Sequence, residues 1–500
     1  MTSLIAERIR EVLTLDPSSG AIQFEDRVHP WSYISTVVEN LDRCLDHVDS
    51  GPGCAVGLIM RNRPPHAAVL AASIITERCV VTLSPMFSDE ALANDIRALA
   101  LHAIAGERGD LERPGIMEAA IEAGVTVLLI SEDDDDPVRT ILEGTAVHRS
   151  RSRPGVVLEM LSSGTTGVPK RIPLTYDSLQ SSLQGDDAHL KAGDASARLQ
   201  VRPALVWHPI VHISGAYFVI DALYSGRRII FLERFEPRAW ARIVEREGVR
   251  VGHLNPTAMR MLLEEEIPPE QLASLKVVRG GTGATPPELQ IAFEERFHVP
   301  VLTTYGATEF AGAVAGWTLD DHRVYGRSHV GASGRAHEGV ALRTVNVEFG
   351  DVLGVGEEGV LEVRANQTSA DASTWVRTTD LAVIDEQGFL WVKGRIDDAI
   401  IRGGFKIHPA KVEAALEEHP DVREAAVVGL LDERLGAVPV AAVTLLEGAR
   451  DVDPATLLAF VRSRLSAYEV PRELVIVDEI PRTPSMKVSR PGMWALFTST

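Results

Sequence analysis

The sequence predicts an α/β protein with a large N-terminal domain of stacked parallel-type sheets and helices and a small, mobile α+β C-terminal domain. Strand-like apolar runs alternate with amphipathic, helix-like runs over most of the chain, which is typical of parallel sheets. From about residue 330 to 393 the helical pattern gives way to short strand-like runs, which predicts a β-rich subdomain. After Gly394 a shorter series of alternating strand-like and helix-like runs begins. We therefore expect domains over residues 1–396 and 397–500, with a hinge at Asp397.

The individual elements follow from the same patterns, taken in chain order. Continuous apolar runs between turn residues predict strands, and runs with a 3.6-residue period predict helices. The predicted strands are CAVGLIM (54–60), CVVTL (79–83), VTVLLIS (125–131), RRIIFL (227–232), VRVGHL (249–254), KVVRGG (276–281), VPVLTTYG (299–306), LAVID (381–385), FLWVKG (389–394), 424–430 and 438–446. The predicted helices are HAAVLAASIITER (66–78), 237–247, 256–266, PPELQIAFEERF (286–297), PAKVEAALEEH (409–419) and PATLLAFVRSRL (454–465).

Composition and charge narrow the functional classes. The 500 residues include 50 Lys and Arg against 70 Asp and Glu, and the resulting net charge of −20 repels phosphate backbones and anionic membranes. We therefore expect no nucleic-acid partner. Cys44, Cys54 and Cys79 fit neither a disulfide framework nor a CxxC pair, and the N-terminus has no apolar signal segment. The sequence thus predicts a cytoplasmic protein with no membrane span.

A glycine-rich loop carries the strongest chemical signal. Residues 161–170 read LSSGTTGVPK, and their glycines, hydroxyl side chains and terminal lysine offer the donors that phosphate oxygens require. The loop is not a Walker A motif, because Pro169 replaces its second glycine and Arg171 its Ser or Thr. Since Pro169 and Pro173 disfavour a helix after the loop, we expect it to lie between two extended segments.

Further motifs follow this loop in a fixed order. They are His212 in PIVHISG, GGTGATPPEL (280–289), YGATE (305–309), TTDLAVIDEQGFLWVKGRIDD (378–398), RGGFKIHPAKVE (402–413) and PRTPSMK (481–487). With SSGTTGVPK, this series resembles the signature motifs of the acyl-adenylate-forming enzymes, which comprise acyl-CoA synthetases, peptide-synthetase adenylation domains and firefly luciferase. The resemblance covers essentially the whole chain and is strongest to the acyl-CoA ligases.

The resemblance implies a nucleotide site and a metal site. Glu309, Thr308 and Thr166 would place Mg²⁺, since a hard cation that bridges phosphates takes oxygen ligands. Tyr305 would stack on adenine, and Lys487 would bridge the reacting carboxylate and the α-phosphate. The residues implied to bind the nucleotide are Ser163, Gly164, Thr165, Thr166, Gly167, Lys170, Gly281, Thr282, Gly283, Tyr305, Gly306, Thr308, Asp380 and Arg395.

The resemblance also implies a second half-reaction. The C-terminal domain would turn about Asp397 after adenylation and bring a thiol-tunnel loop toward the acyl-adenylate. His212 would gate the route to the thiol, with a purely structural histidine as the alternative. The loop residues are Arg402, Gly403, Gly404 and Phe405, and the implied acyl pocket contains His212, Gly215, His253 and Ala307.

Three positions that are usually glycine in the family differ here. Arg171 follows the loop lysine and adds positive charge, and Thr379 precedes Asp380. Met486 precedes Lys487, where a glycine would let the loop bend more freely. Methionine at this position instead costs flexibility and occupies volume next to Lys487, which the resemblance implies for adenylation.

The implied activity is that of an acyl-CoA ligase that uses ATP, Mg²⁺ and coenzyme A. An acyl-AMP ligase that loads a separate carrier protein, and a weakened family member that serves as a binding protein, are the alternatives. The pocket segments are small or apolar and hold no acid for a substrate amine, so a hydrophobic acid, whether aryl, alicyclic or fatty, is favoured. The sequence is compatible with a homodimer and does not fix the oligomeric state.

Overall fold

Helices and strands alternate along the chain, which confirms the predicted α/β class. The bounds of the predicted elements agree closely, and the helix predicted over residues 237–247 has those same ends. The computed structural model describes residues 3–46, 51–145, 152–161, 170–189, 196–281, 283–368, 373–396, 398–402, 405–432, 434–449, 452–483 and 486–498.

The strands and helices have the following bounds. The strands are β1 (Gly20–Phe24), β2 (Arg27–Pro30), β3 (Ala55–Ile59), β4 (Cys79–Leu83), β5 (Ala103–Gly106), β6 (Thr126–Ile130), β7 (Val138–Leu142), β8 (Val156–Leu161), β9 (Arg171–Thr175), β10 (Gln200–Val206), β11 (Arg227–Phe231), β12 (Val251–Leu254), β13 (Val277–Gly280), β14 (Val301–Ala307), β15 (Gly312–Gly316), β16 (Arg335–Ala336), β17 (Val340–Val345), β18 (Gly359–Ala365), β19 (Val376–Ile384), β20 (Leu390–Arg395), β21 (Ile400–Arg402), β22 (Phe405–Ile407), β23 (Val422–Asp432), β24 (Gly436–Leu445) and β25 (Glu473–Ile476). The helices are α1 (Leu4–Leu15), α2 (Trp31–Leu45), α3 (Pro64–Ile75), α4 (Asp89–Ala98), α5 (Arg108–Leu111), α6 (Ile116–Ala123), α7 (Tyr176–His189), α8 (Ile213–Tyr224), α9 (Pro237–Glu247), α10 (Pro256–Glu264), α11 (Pro287–Phe297), α12 (Leu319–Tyr325), α13 (Pro409–Glu417), α14 (Pro454–Arg462) and α15 (Arg490–Thr498), with short 3-10 helices at Pro269–Leu272 and Thr308–Phe310.

The chain divides into two compact units. The first contains residues 1–162, 169–341 and 364–374, and the second contains 342–363 and 375–500. Family resemblance placed the hinge at Asp397, which lies outside the described residues, so that boundary stays a prediction.

A seven-stranded sheet in the order β7-β6-β5-β3-β4-β8-β9 organises the N-terminal part of the first unit. Its five central strands are parallel, while β7 and β9 run antiparallel to their neighbours. Strands β3, β4 and β6 are buried on both faces because helices cover both sides of the sheet. Helices α4 and α6 pack on one face. The opposite face shares a continuous core with α3, α8 and the sheet β10-β11-β1-β2.

The third sheet of the first unit has the order β12-β13-β14-β15-β16. Strands β12, β13 and β14 are parallel, and β15 and β16 continue the sheet antiparallel. The carboxyl ends of the three parallel strands therefore meet at one edge, near Leu254, Gly280 and Thr304. Ligands of α/β proteins bind outside such edges, so this edge is where a site is expected.

The second unit holds two further sheets. Strands β17-β18-β19-β20 form one, and β22-β21-β24-β23 form the other, with β25 beside β24. Helices α13 and α14 pack on one face of the second sheet, and Met493 of α15 packs on the other. None of the helices within the described ranges combines the length and the apolar character needed to span a bilayer.

Candidate functional site

Part of the candidate site lies outside the described residues. These positions are Ser163, Gly164, Thr165, Thr166, Gly167, Thr282, Asp397, Gly403, Gly404 and the side chain of Phe405. The roles that family resemblance implies for them stay predictions.

Two extended segments flank the glycine-rich loop, as the prolines predict. Strand β8 ends at Leu161 and β9 begins at Arg171, and these two residues pair across an antiparallel ladder. Lys170, the last loop residue, is exposed at the start of β9. The ladder thus fixes both ends of the loop and leaves the lysine in solvent.

Arg171 has a fixed set of partners at this ladder. Its Nη2 lies 2.7 Å from a carboxylate oxygen of Asp95 on α4, and its Nη1 donates to the carbonyl of Thr82 on β4 at 3.1 Å. The Arg171 side chain is only 14% exposed. The positive charge expected of this residue is therefore paired with Asp95.

The YGATE motif lies at the carboxyl edge of the third sheet. Tyr305 and Gly306 belong to β14, and Glu309 is exposed on the short 3-10 helix that follows. A Cβ on Gly306 would lie 2.2 Å from the carbonyl oxygen of Gly312 on β15, so only glycine fits there. Gly281 follows β13 at the same edge. The sheet topology therefore brings Gly281, Tyr305 and Glu309 to one edge.

His212 and Gly215 begin helix α8. His212 is the N-cap residue, and its backbone N–H donates to the carbonyl of Pro209 at 3.0 Å. A Cβ on Gly215 would approach the carbonyl oxygens of Pro209 and His208 to 2.3 and 2.5 Å. Gly215 is thus required by the tight turn into the helix, whatever its role toward an acyl group.

An aromatic cluster of Trp207, His208, Phe218 and His253 lies beside this helix. Ring centroids are 3.9 Å apart for Trp207 and His208, 5.2 Å for His208 and Phe218, and 3.9 Å for Phe218 and His253. Burial lowers the pKa of His208 to about 3. Burial, reinforced by the Arg279 charge, holds the pKa of His253 well below its ordinary value. Both imidazoles are therefore uncharged at neutral pH.

A buried ion pair borders the aromatic cluster. Arg279 on β13 donates two hydrogen bonds of 2.7 Å to the two carboxylate oxygens of Asp186 on α7. Arg279 is the register partner of His253 on β12, so their side chains share one face of the sheet. Burial opposes the charge of Arg279, but Asp186 raises its pKa above the ordinary value. Burial, then the nearby carboxylates of Asp186 and Asp221, holds the pKa of Tyr217 well above its ordinary value.

Sequence reasoning missed much of the aromatic cluster and the whole of the ion pair beside it. It named His253 but not His208, Asp186 or Arg279. An arginine inside the apolar run KVVRGG is a detectable signal, because arginine is rarely buried without a partner. No comparable signal marks Asp186, since its helix carries several polar residues.

The second unit contains the candidate ribose site. Asp380 and Arg395 are register partners on β19 and β20, and the Arg395 Nε lies 3.7 Å from a carboxylate oxygen of Asp380. The same Nε donates to Thr379 Oγ1 at 3.0 Å. Thr379, which stands where the family usually has glycine, therefore orients Arg395 beside the acid.

Lys487 lies at the end of a turn near the C-terminus and is exposed. The Thr483 N–H donates to the Lys487 carbonyl at 2.7 Å, and the Met486 N–H donates to the Thr483 carbonyl at 2.8 Å. Met486 has φ +65°, in the left-handed region that favours glycine. Met486 stands where the family usually has glycine, and its positive φ explains why glycine suits this position.

Arg402 and Asp398 are held within the second unit. Arg402 Nη1 donates to the carbonyl of Tyr468 at 2.8 Å, and Asp398 pairs with Arg490 on α15. Asp398, which follows the predicted hinge residue, is thus anchored to helix α15.

The metal prediction rests on Glu309. In the described part of the chain no three His, Cys, Asp or Glu side chains are grouped to hold an ion. The exposed carboxylate of Glu309 still fits the prediction, because proteins commonly bind Mg²⁺ through one or two carboxylates and substrate phosphates.

Two surface cavities, of about 610 and 740 Å³, open in the first unit at the ends of other strands, and no motif residue lines either.

Two family matches cover most of the chain. The AMP-binding enzyme family matches residues 14–370, which contain the glycine-rich loop, Tyr305 and Glu309. The AMP-binding enzyme C-terminal domain matches residues 411–487, ending at Lys487.

Individual relatives are similar at modest identity. Indoleacetate–CoA ligase of Aromatoleum aromaticum is 33% identical over 344 residues, which span 66% of this chain and 65% of that protein. A 2-succinylbenzoate–CoA ligase of Bacillus cereus is 27% identical over 495 residues, 95% of each chain. Among solved structures, the amide bond synthetase McbA of Marinactinospora thermotolerans superposes with a TM-score of 0.79 at 26% identity, over 99% of this chain and 100% of that one.

Proposed function

The chain belongs to the AMP-binding family of adenylate-forming enzymes, and from this premise we propose that it is an acyl-CoA ligase for a hydrophobic carboxylic acid. The acid would displace pyrophosphate from ATP to give an acyl-adenylate, and the thiol of coenzyme A would then displace AMP. The proposal rests on the pair of family matches, which include the phosphate loop and Lys487. Relatives named as CoA ligases support the choice of acceptor.

The first half-reaction must bring a carboxylate to an anionic α-phosphate. Catalysis therefore consists largely of charge neutralisation and in-line positioning. In the proposal Lys487 neutralises both reacting groups, and Lys170 with Ser163, Thr165 and Thr166 holds the β and γ phosphates. The exposed ends of both lysines suit contact with an anionic ligand.

The nucleoside would be held by two sets of groups. Tyr305 would stack on adenine beside Gly281, Thr282 and Gly283. Asp380 would accept hydrogen bonds from the ribose hydroxyls, with Arg395 beside it. The 3.7 Å separation of Asp380 and Arg395 supports this pairing of roles, since it places an acceptor and a donor within reach of one sugar.

Magnesium would enter with ATP. Glu309 and Thr308, with Thr166 from the loop, would hold the ion, which supplies charge neutralisation at the phosphates. Glu309 is exposed at the carboxyl edge of the third sheet, where an oxygen ligand is accessible to a phosphate-bound cation.

The second half-reaction would use the C-terminal region. In the proposal the chain turns about Asp397, the loop Arg402 to Phe405 approaches the acyl-adenylate, and His212 opens the route for the thiol. Gly403 and Gly404 permit close backbone approach.

Pyrophosphate exchange tests the first half-reaction, and mass detection of the thioester tests the second. A panel of carboxylic acids should give acyl-adenylate with ATP and Mg²⁺ alone, and acyl-CoA only when coenzyme A is added. ATP binding without exchange for any acid would contradict the proposal and favour a binding protein.

One observation favours a second acceptor. The similarity to an amide bond synthetase makes an amine an alternative nucleophile toward the acyl-adenylate. Incubation of the acyl-adenylate with coenzyme A, a phosphopantetheinylated carrier protein or an amine separates the three acceptors, because each gives a product of different mass.

A further inference from the structure

Resting on the proposed function, we propose that the acyl group is an uncharged aromatic group, and that acids with a second carboxylate are excluded because Asp186 occupies Arg279 and leaves no free cation in the pocket wall. The inference concerns the wall formed by the aromatic cluster and this ion pair. It narrows the hydrophobic acid of the proposed function to one chemical class.

The wall lies where an acyl group would extend from the nucleotide. His253 and Arg279 are each one residue from the carboxyl ends of β12 and β13. Gly281, which follows β13, and Tyr305 of β14 lie at the same edge. A ligand anchored at this edge lies beside strand β12, which carries His253 with Phe218 packed on its ring. The wall and the nucleotide residues Gly281 and Tyr305 belong to the same unit of the chain.

The rings of the wall favour a flat partner. Phe218 packs on His253 at 3.9 Å and edge-on to His208 at 5.2 Å, so the cluster already consists of aromatic contacts. An aromatic acyl group extends such a set with offset or edge-to-face geometry, which strengthens binding about twofold to tenfold beyond apolar burial. A saturated ring of the same size does not gain this contribution.

The charges of the wall cancel. Arg279 places two N–H groups on the two oxygens of Asp186, so neither ion has a free charge to offer. Both imidazoles are neutral because burial lowers the pKa of each. A second carboxylate on the substrate would therefore be buried without a cation, which is strongly unfavourable.

One polar atom of the wall has no partner. His208 is 5% exposed, and within the described ranges its Nδ1 makes no hydrogen bond. A hydroxyl or ring N–H on the acyl group would satisfy this atom. Aromatic acids with one such substituent are therefore expected among the best substrates.

Matched acids test the inference on the wild-type enzyme through pyrophosphate exchange. Phenylacetate should exceed cyclohexylacetate, which has the same size without aromaticity, by about twofold to tenfold in kcat/KM. It should exceed 4-carboxyphenylacetate, which adds only a carboxylate, by about tenfold or more. Equal or reversed preference within either pair would overturn the inference while leaving acid activation intact. No exchange with any acid would instead overturn the proposed function.

Asp186→Asn tests the ion pair itself. It removes the carboxylate that pairs with Arg279 and frees its two N–H groups, so the ratio of 4-carboxyphenylacetate to phenylacetate activity should rise about tenfold or more. Asp110→Asn is the matched control, because Asp110 accepts two 2.7 Å hydrogen bonds from Arg61 elsewhere in the unit, and it should not change the ratio. An unchanged ratio in folded Asp186→Asn would contradict the role of the pair. If that variant does not fold, the double variant Asp186→Leu with Arg279→Leu must keep the wild-type preference, and a switch toward the dicarboxylate would overturn the inference.

Discussion

Arg171 donates a hydrogen bond to Asp95 at 2.7 Å and thereby joins the first residue after the glycine-rich loop to helix α4. Its second hydrogen bond, to the Thr82 carbonyl, adds strand β4 to the same connection. The base of the loop is therefore fixed by a side chain that stands where the family usually has glycine.

Loss of this connection should weaken ATP binding. Arg171→Ala should raise the KM for ATP about threefold to tenfold, which corresponds to about 1 kcal/mol, the ordinary contribution of such a hydrogen-bonded pair. The turnover number should change little, since no reacting atom is touched. Pyrophosphate exchange at varied ATP concentration measures both constants.

The control for the Arg171→Ala variant is Arg113→Ala. Arg113 also pairs with an acid of α4, Asp89, at 2.7 Å and donates to the carbonyl of Pro85 at 2.9 Å, but it is not at the loop. An equal rise in the KM for ATP in both variants would show that the effect is general destabilisation.

The turn before Lys487 supplies a second prediction. Met486 occupies the left-handed region at φ +65°, which costs a non-glycine residue about 1 kcal/mol or more. Met486→Gly should therefore raise the free energy of unfolding by about 0.5 to 1 kcal/mol, as measured by denaturant titration. Met486→Ala removes the side-chain bulk but retains the strain, so it should give no such gain. Stabilisation by alanine alone would show that bulk, and not backbone, is the cause.

Much of the fold was predictable from the sequence because the central strands of the seven-stranded sheet are parallel and buried on both faces. Such strands read as continuous apolar runs, as CVVTL does, and their helices have a clear period. The motif residues were predictable from family resemblance. The Asp186–Arg279 pair was not, because it joins a helix and a strand that are 93 residues apart in the chain. The partners of Arg171 were hidden for the same reason, since they lie 76 and 89 residues away in the chain.

Lys487 should act in only one half-reaction. Lys487→Ala should lower acyl-adenylate formation by about two orders of magnitude or more, since it removes an electrostatic stabiliser of the transition state. Thioester formation from supplied acyl-adenylate should be largely retained. Pyrophosphate exchange and acyl-CoA formation report the two steps separately, and equal losses in both would identify Lys487 as a folding residue.

Glu309 should be needed for the metal and not for the fold. Glu309→Gln should reduce adenylation about a hundredfold, or about 2.7 kcal/mol, while the thermal unfolding midpoint barely changes because the side chain is exposed. Raising the Mg²⁺ concentration should recover part of the activity. A variant that unfolds early but keeps full activity per folded molecule would show that Glu309 is a structural acid.

The stability of the C-terminal region should depend on pH through Glu413. Burial raises the pKa of Glu413 on α13 to about 7, although its carboxylate accepts the Val427 N–H at 2.9 Å. The folded protein therefore binds this proton more tightly than the unfolded chain does. The resulting stability is fully present below the unfolded pKa and is lost as pH rises through about 7.

Glu413→Gln keeps the acceptor without the titration, so the full chain should become more stable than wild type by about 1 to 3 kcal/mol near pH 8 and should be nearly unchanged near pH 4. Glu413→Ala lacks the acceptor and should be destabilised at low pH, where wild type carries the proton. Thermal unfolding across this pH range measures the difference, and a Glu413→Gln curve parallel to that of wild type would contradict the raised pKa.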